Sequence, residues 1–493
     1  MDAHAQRTGR EAAGTAEAPE VWRDPARGTG ERVADLLARM TLAEKLAQLG
    51  SVWVDPAAGD GEVAPMQGRF TEGLPPLPEL IRDGLGHLTR VFGTRPLTAG
   101  AGVRALADLQ AQIVAASRFG IPAIAHEECL TGFAAWRATT FPTPLAWGAS
   151  FDPEIVREMG AAIGRSMHAV GVHQGLAPVL DVVRDARWGR VEETIGEDPY
   201  LVGSVGAAYV QGLQSSGVHA TLKHFAGYAA SRAARNMAPV SMGPREFADV
   251  IMPPFEMAIR LGGARSVMPS YTDVDGVPAT GDPGLLTGRL RQELGFDGVV
   301  VSDYHAVSFL ESHHAVAGTP AEAAGAALGA GVDVELPNVR CYGEPLAGAV
   351  RAGRVPEDLV DRAAARVLRQ KCDLGLLDPG WSPEAALGDG PADGPGDGDG
   401  RADGDGRAEV DLDPPEHRAL ARRIAEESII LLANGANGAG LAGGAGGLPL
   451  DPSARIAVVG PLAGDPLAFF GCYTFARHVG HRYPEALTGL PVT

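Results

Sequence analysis

Gly298-Val299-Val300-Val301-Ser302-Asp303-Tyr304 is an apolar run that ends abruptly on a carboxylate. Consecutive valines, without the polar alternation of a half-exposed strand, read as a strand buried on both faces, as in a parallel sheet covered by helices. An acid directly after such a strand is not core filling. Its charge has to be stabilised by water, a cation or a ligand. Seven further stretches read as strands: Gln48–Val54, Gly86–Phe92, Ile121–Glu128, Val172–Val182, Ala220–Phe225, Ser266–Tyr271 and Gly331–Leu336. Most are separated by helical patterns, among them Val103–Arg118, Pro153–Val170 and Arg245–Leu261. Alternation of this kind implies right-handed crossovers and a parallel sheet. A count of eight favours a closed (β/α)8 barrel, so the expected fold class is α/β with a TIM-like barrel.

The chain has 493 residues, too many for one ordinary core. The pattern divides it into a disordered N-terminus (1–29), a barrel (30–380), a Gly/Asp-rich linker (381–414) and the start of a second α/β domain (415–493). Gly supplies flexibility to the linker and Asp supplies solvation and self-repulsion. A calcium loop is the alternative there, but Arg401 occupies a ligand position of the EF-hand spacing. A second flexible stretch runs from Asn434 to Gly447. Glu416–Leu432 reads as an amphipathic helix and Arg455-Ile-Ala-Val-Val-Gly460 as a buried strand. Only one or two further strands fit before Thr493, so the second domain is expected to be incomplete.

The net charge of −19 argues against a nucleic-acid partner. No run of 18 apolar residues suggests a membrane span, and the N-terminus shows no apolar signal-peptide core. Cys129, Cys341, Cys372 and Cys472 form no CxxC pair, which fits a reduced, cytoplasmic protein. Only Lys45, Lys223 and Lys371 interrupt an otherwise arginine-based cationic set, so each lysine invites a specific explanation.

In a barrel of this kind the site lies at the carboxyl ends of the strands. Those ends carry Glu127 and Glu128, Arg184, Lys223 and His224, Met268 and Tyr271, Asp303 and Tyr304, then Asp333 and Glu335. Carboxylates, cationic donors and aromatic faces together suit a sugar, which offers hydroxyls on its rim and C–H groups on its face. The plainer reading of any one charged strand end is a structural ion pair. For Lys223-His224 it weakens, because this lysine lies inside an apolar segment. Metal binding is not expected. His313-His314 point apart on a helix, and His126-Glu127-Glu128 has no histidine four residues on, as the HExxH motif requires.

Several long motifs in order resemble glycoside hydrolase family 3. They are Arg187-Trp-Gly-Arg190, Gly196-Glu-Asp-Pro199, Lys223-His-Phe-Ala-Gly227, Ser266-Val-Met-Pro-Ser-Tyr271, Gly295–Tyr304, Gly331–Pro337 and Ile456–Pro461. The resemblance implies a retaining, exo-acting β-glucosidase or β-xylosidase, with a barrel-like first domain and an α/β sandwich second domain. It makes Asp303 the nucleophile. It makes Lys223, His224, Arg184 and Arg235 donors to the terminal sugar, Glu128 an acidic partner of its distal hydroxyls, and Met268, Tyr271 and Tyr304 the pocket lining. Thr131 stands where the family often has His, and Ala186 where it usually has Pro.

Retaining glycosidases need a nucleophile and a second carboxyl acting as acid, then base. The resemblance puts that second group on a glutamate of the second domain, well past Gly460, and no residue of this chain is assigned to it. The Asp-His pair of the family's β-N-acetylhexosaminidase branch is absent from Gly227–Asn236. A catalytically impaired or non-catalytic sugar-binding fragment is therefore the alternative function. A phosphate-binding barrel is a third reading, but it calls for a Gly-rich anion loop where Val332-Asp-Val-Glu-Leu336 presents acids. The expected substrate is a small oligosaccharide or an aryl or alkyl β-glycoside, without a cofactor.

Overall fold

The computed structural model of the protein describes residues 20–53, 64, 66–384, 410–434 and 448–487. The disorder expected of residues 1–19, the low-complexity stretch at 385–409 and the flexibility expected of residues 435–447 lie outside them. Residues 20–29, assigned above to a disordered N-terminus, are ordered. Trp22 is buried with Phe119 and Leu36, and its N–H donates to Asp35 (3.1 Å). One large aromatic inserted into an apolar cluster outweighs the polar composition around it.

Among the described residues, seven strands form one parallel sheet in chain order: β1 (Ser51–Trp53), β2 (His87–Thr89), β3 (Ile124–Glu127), β4 (Gln174–Gly175), β5 (His219–Phe225), β6 (Ser266–Pro269) and, past a small hairpin of β7 (Asp273–Val274) and β8 (Val277–Pro278), β9 (Val299–Val300). Each parallel step needs a crossover, and helices such as Ala99–Ala116, Pro153–Ala169 and Pro199–Gln214 supply them. The eighth expected strand, Gly331–Leu336, makes single contacts instead of a ladder. Val334 bridges Val301, and the Glu335 N–H donates to the Leu49 carbonyl (2.9 Å), just before β1. Pro337 follows at once and has no N–H to extend the pairing. The fold is thus a curled parallel sheet with helices outside.

Local chemistry sets the helix starts. Asp152 caps Pro153–Ala169 by accepting the Glu154 and Ile155 N–H groups, and Asp198 caps Pro199–Gln214 through Leu201. These two helices cross backbone to backbone. A Cβ on Gly212 would lie 2.1 Å from the Arg157 carbonyl oxygen, and one on Gly160 2.7 Å from that of Tyr209. Val299, Val300 and Val301 are buried in the principal core, as a doubly covered strand requires.

After residue 410 the chain departs from expectation. Helix Pro415–Glu427 forms, but Leu412 and Ile424 belong to the principal core of the sheet domain, and Arg423 pairs with Glu158 (2.8 Å). Arg455–Gly460, read as a buried strand, is neither: Ile456, Val458 and Val459 are exposed, as are Ile429–Leu432. A strand exists only beside a partner that takes its N–H and C=O groups. Among the described residues none lies alongside this run. The following segment behaves differently. Helix Phe475–Val479, capped by Thr474, buries Phe475 and Val479 with Ala486 and packs against Trp136 and Tyr483.

Candidate active site

A cavity of about 180 Å³ opens at the carboxyl ends of the strands, lined by Arg90, Glu128, Leu176, Arg190, Lys223, Asn236, Met268, Tyr271, Asp303, Tyr304, Tyr473 and His478 together with Ala64. Six residues expected from sequence meet here: Glu128, Lys223, Met268, Tyr271, Asp303 and Tyr304. They lie on or just after β3, β5, β6 and β9, so parallel pairing brings together side chains up to 176 positions apart (Glu128 to Tyr304).

Asp303 ends its strand with one oxygen hydrogen-bonded and the other enclosed. Its Oδ1 accepts the Tyr304 N–H (2.7 Å), while Oδ2 is buried without a hydrogen-bond partner. Burial pushes its pKa up to about 6, against the pull of the Arg190 and Lys223 cations. The carboxylate stands in the cavity wall beside cations that favour its ionised form, which suits a nucleophile.

Lys223 is the one lysine of three that serves this pocket. Its Nζ donates to Glu128 Oε2 (3.0 Å), and both side chains are almost fully buried. Lys45, largely buried, reaches the more exposed Glu357 and Asp361, and Lys371 donates to Gln48 and the Leu85 carbonyl deep in the core. His224 stands behind Asp303, with Nε2 3.7 Å from Oδ2. Arg190 has only N–H groups to offer, so its 3.2 Å contact makes Nε2 an acceptor. The ring proton therefore sits on Nδ1 and is donated to Asp181 (2.7 Å). Burial, then Arg190 and Lys223, hold the histidine well below its usual pKa, so the ring is neutral. With both nitrogens used, it offers no free N–H in this arrangement.

Two expected arginines lie elsewhere. Arg184 is half exposed and pairs with Glu246 (3.0 Å), outside the cavity. The donor in the pocket is Arg190, the second arginine of Arg187-Trp-Gly-Arg190. Glu193 holds it through two 2.7 Å bonds. Between the two arginines Asp185 accepts the Arg187 N–H (2.9 Å) and pairs with its guanidinium. Arg235 is also exposed. It lines an adjoining hollow of about 590 Å³ with Asn236, Met237, Asp273, His313 and His314, and Asn236 is shared with the inner cavity.

Other strand-end acids are structural. Glu127 turns away to accept the Phe92 N–H (2.7 Å). Asp333 joins Arg291 and Arg366, and Glu335 accepts the N–H groups of residues 340–342. Sequence reasoning missed Arg90, Arg190, Tyr473 and His478. Arg190 had a signal, because it closes a quoted motif. The other three had none, since only the tertiary fold places them. Among the described residues no group of three or more His, Cys, Asp or Glu is disposed to hold a metal ion.

The family model for the N-terminal domain of glycosyl hydrolase family 3 matches residues 41–370. A β-xylosidase of Formosa agariphila is 35% identical over 392 residues, covering 75% of this chain and 50% of that protein. A periplasmic β-glucosidase of Salmonella typhimurium is 32% identical over 464 residues, covering 93% and 54%. Among solved structures, a β-glucosidase from Listeria innocua in complex with glucose aligns with a TM-score of 0.72 at 32% identity, covering 90% of this chain and 56% of that one. The chain spans about half the length of the curated relatives it matches.

Proposed function

Because this chain belongs to glycosyl hydrolase family 3, we propose that its sheet domain carries the nucleophile half of a retaining, exo-acting β-glycosidase site for terminal β-D-glucosyl or β-D-xylosyl residues. The observation that carries the reading is Asp303, a strand-end carboxylate lining a small pocket beside the Lys223 and Arg190 cations. The Asp303 carboxylate attacks the anomeric carbon, the bond to the leaving oxygen breaks with its electron pair departing on that oxygen, and a covalent glycosyl-enzyme forms. The Lys223–Glu128 pair offers a donor and an acceptor side by side for neighbouring hydroxyls, and Arg190 supplies a second cation against Asp303. A cavity of about 180 Å³ is small beside sites for drug-sized ligands, about 300–1,000 Å³. One sugar fits within, and the leaving group lies toward the hollow that shares Asn236. We read the Val334 and Glu335 contacts as closing the sheet into a barrel around this pocket.

The acid/base partner is not assigned to these residues. Apart from Asp303, Glu128 is the one carboxylate lining the cavity among the described residues, and Lys223 holds it. That favours a second reading for the 493-residue chain by itself, a sugar-binding unit with impaired turnover. Labelling with 2-fluoro β-xylosyl and β-glucosyl fluorides separates the two. The enzyme reading expects a covalent adduct mapped by peptide mass spectrometry to Asp303. Sugar binding without an adduct would favour the second reading.

A further inference from the structure

We propose that residues 471–479 are the end wall of the terminal-sugar pocket, with Tyr473 and His478 confining it to a single sugar ring. The proposal rests on the glycosidase reading of the site. Both residues lie outside the stretch matched by the family model, and both line the cavity.

The segment is bound to the sheet domain through the groups that surround Asp303. The Arg190 guanidinium donates to the Tyr473 hydroxyl (3.0 Å), and the Lys223 ammonium lies 4.5 Å from the centre of the Tyr473 ring. Arg90 donates to His478 Nδ1 (2.9 Å). The Cys472 N–H donates to Glu192 (2.7 Å), next to the Glu193 that holds Arg190. Gly471 allows a close approach, since a Cβ there would lie 2.6 Å from the Thr143 methyl. The upstream run Ile456–Val459 is exposed, so this docking is specific to the later segment.

Two consequences follow for a bound sugar. The Tyr473 ring covers the cation that handles the hydroxyls, so a second sugar cannot extend past that edge. Its face also adds an apolar surface for C–H groups. Arg90 can only donate, so a neutral His478 carries its proton on Nε2, where no other partner claims it and a hydroxyl can accept it.

The test uses the whole chain with Tyr473→Ala, Tyr473→Phe and His478→Ala, each checked by thermal denaturation. Free xylose and glucose binding is measured by calorimetry, and KM and kcat separately with 2,4-dinitrophenyl glycosides. Tyr473→Ala and His478→Ala should weaken sugar binding and raise KM by about tenfold or more, with kcat changed far less. Tyr473→Phe keeps the ring over Lys223 and should recover most of the loss. Tyr473→Ala should also release a disaccharide from a 2,4-dinitrophenyl β-xylobioside or β-cellobioside, which the parent does not. Unchanged binding in folded Ala variants, or a Phe variant as weak as the Ala variant, would overturn the wall. Failure of the parent to form a 2-fluoro adduct would overturn the glycosidase reading instead, while the calorimetry still tests the wall.

Discussion

Replacing Arg190 by glutamine removes a guanidinium that touches Glu193, His224 and Tyr473. It is also the strongest charge opposing the burial of Asp303. His224 Nε2 stands 3.2 Å from Arg190 and 3.7 Å from Asp303 Oδ2, so cation and carboxylate are at most about 7 Å apart. At an effective dielectric of 20, that separation corresponds to roughly 2 kcal/mol of attraction, or about 1.5 pH units. The sign is fixed by the chemistry. The carboxylate attacks only when ionised, so kcat/KM climbs as pH rises through about 6, the pKa of Asp303. Losing a cation favours the protonated form, so in Arg190→Gln the acid limb should move up by about 1.5 pH units. The substitution also strands Glu193, whose side chain is 3% exposed, at a cost of about 3–5 kcal/mol. An Arg190→Gln/Glu193→Gln double variant should restore most of that stability while keeping the shifted limb. The assay is the pH dependence of kcat/KM for 2,4-dinitrophenyl β-xyloside and β-glucoside, whose leaving group needs no protonation. Arg184→Gln is the control. It breaks an exposed pair worth at most about 1 kcal/mol and should leave the limb in place. An unmoved limb in the folded double variant would refute the assignment, as would greater damage from Arg184→Gln.

Asp181→Asn should lower kcat/KM by about 2- to 10-fold, because burial pushes the Asp181 carboxyl up to about 7 and the bond orienting the neutral His224 through Nδ1 is worth roughly 0.5–1.5 kcal/mol. Melting within a few degrees of the parent would show that orientation, not folding, was lost. For the 493-residue chain alone, turnover of activated aryl glycosides should rise with added azide, which attacks the glycosyl-enzyme without a general base. Efficient hydrolysis of cellobiose or xylobiose by the same preparation would show that one of its own residues supplies the acid. Gly212→Ala forces a methyl to 2.1 Å from the Arg157 carbonyl and should cost about 1–3 kcal/mol or more, read as a lowered denaturation midpoint with an unchanged m-value.

Much of the fold and half of the site were legible in the chain. Buried parallel strands advertise themselves because both faces must be apolar, and a carboxylate after Val299-Val-Val301 has no structural excuse. Residues at strand ends, such as Glu128, Lys223, Met268 and Asp303, were readable because pairing in register carries every carboxyl end to the same side of the sheet. Loop residues were not. Arg184 and Arg190 share a loop and a charge, and only the tertiary partners, Glu193 for Arg190 and Glu246 for Arg184, tell which of them faces inward. Arg235 was misplaced for the same reason.

The run Arg455–Gly460 marks a different limit. Its composition is that of a buried strand, yet burial and pairing belong to whatever lies beside it, and among the described residues nothing does. The sequence by itself determined the parallel α/β architecture and the place of Asp303 and Lys223 at strand ends, since these follow from short-range patterns of apolar and charged residues. Only the tertiary structure decided that Arg190 rather than Arg184 meets Asp303, that His224 is neutral, and that Tyr473 and His478 return across the chain to line the pocket. Those outcomes depend on distances between residues far apart in sequence, and local pattern does not encode them.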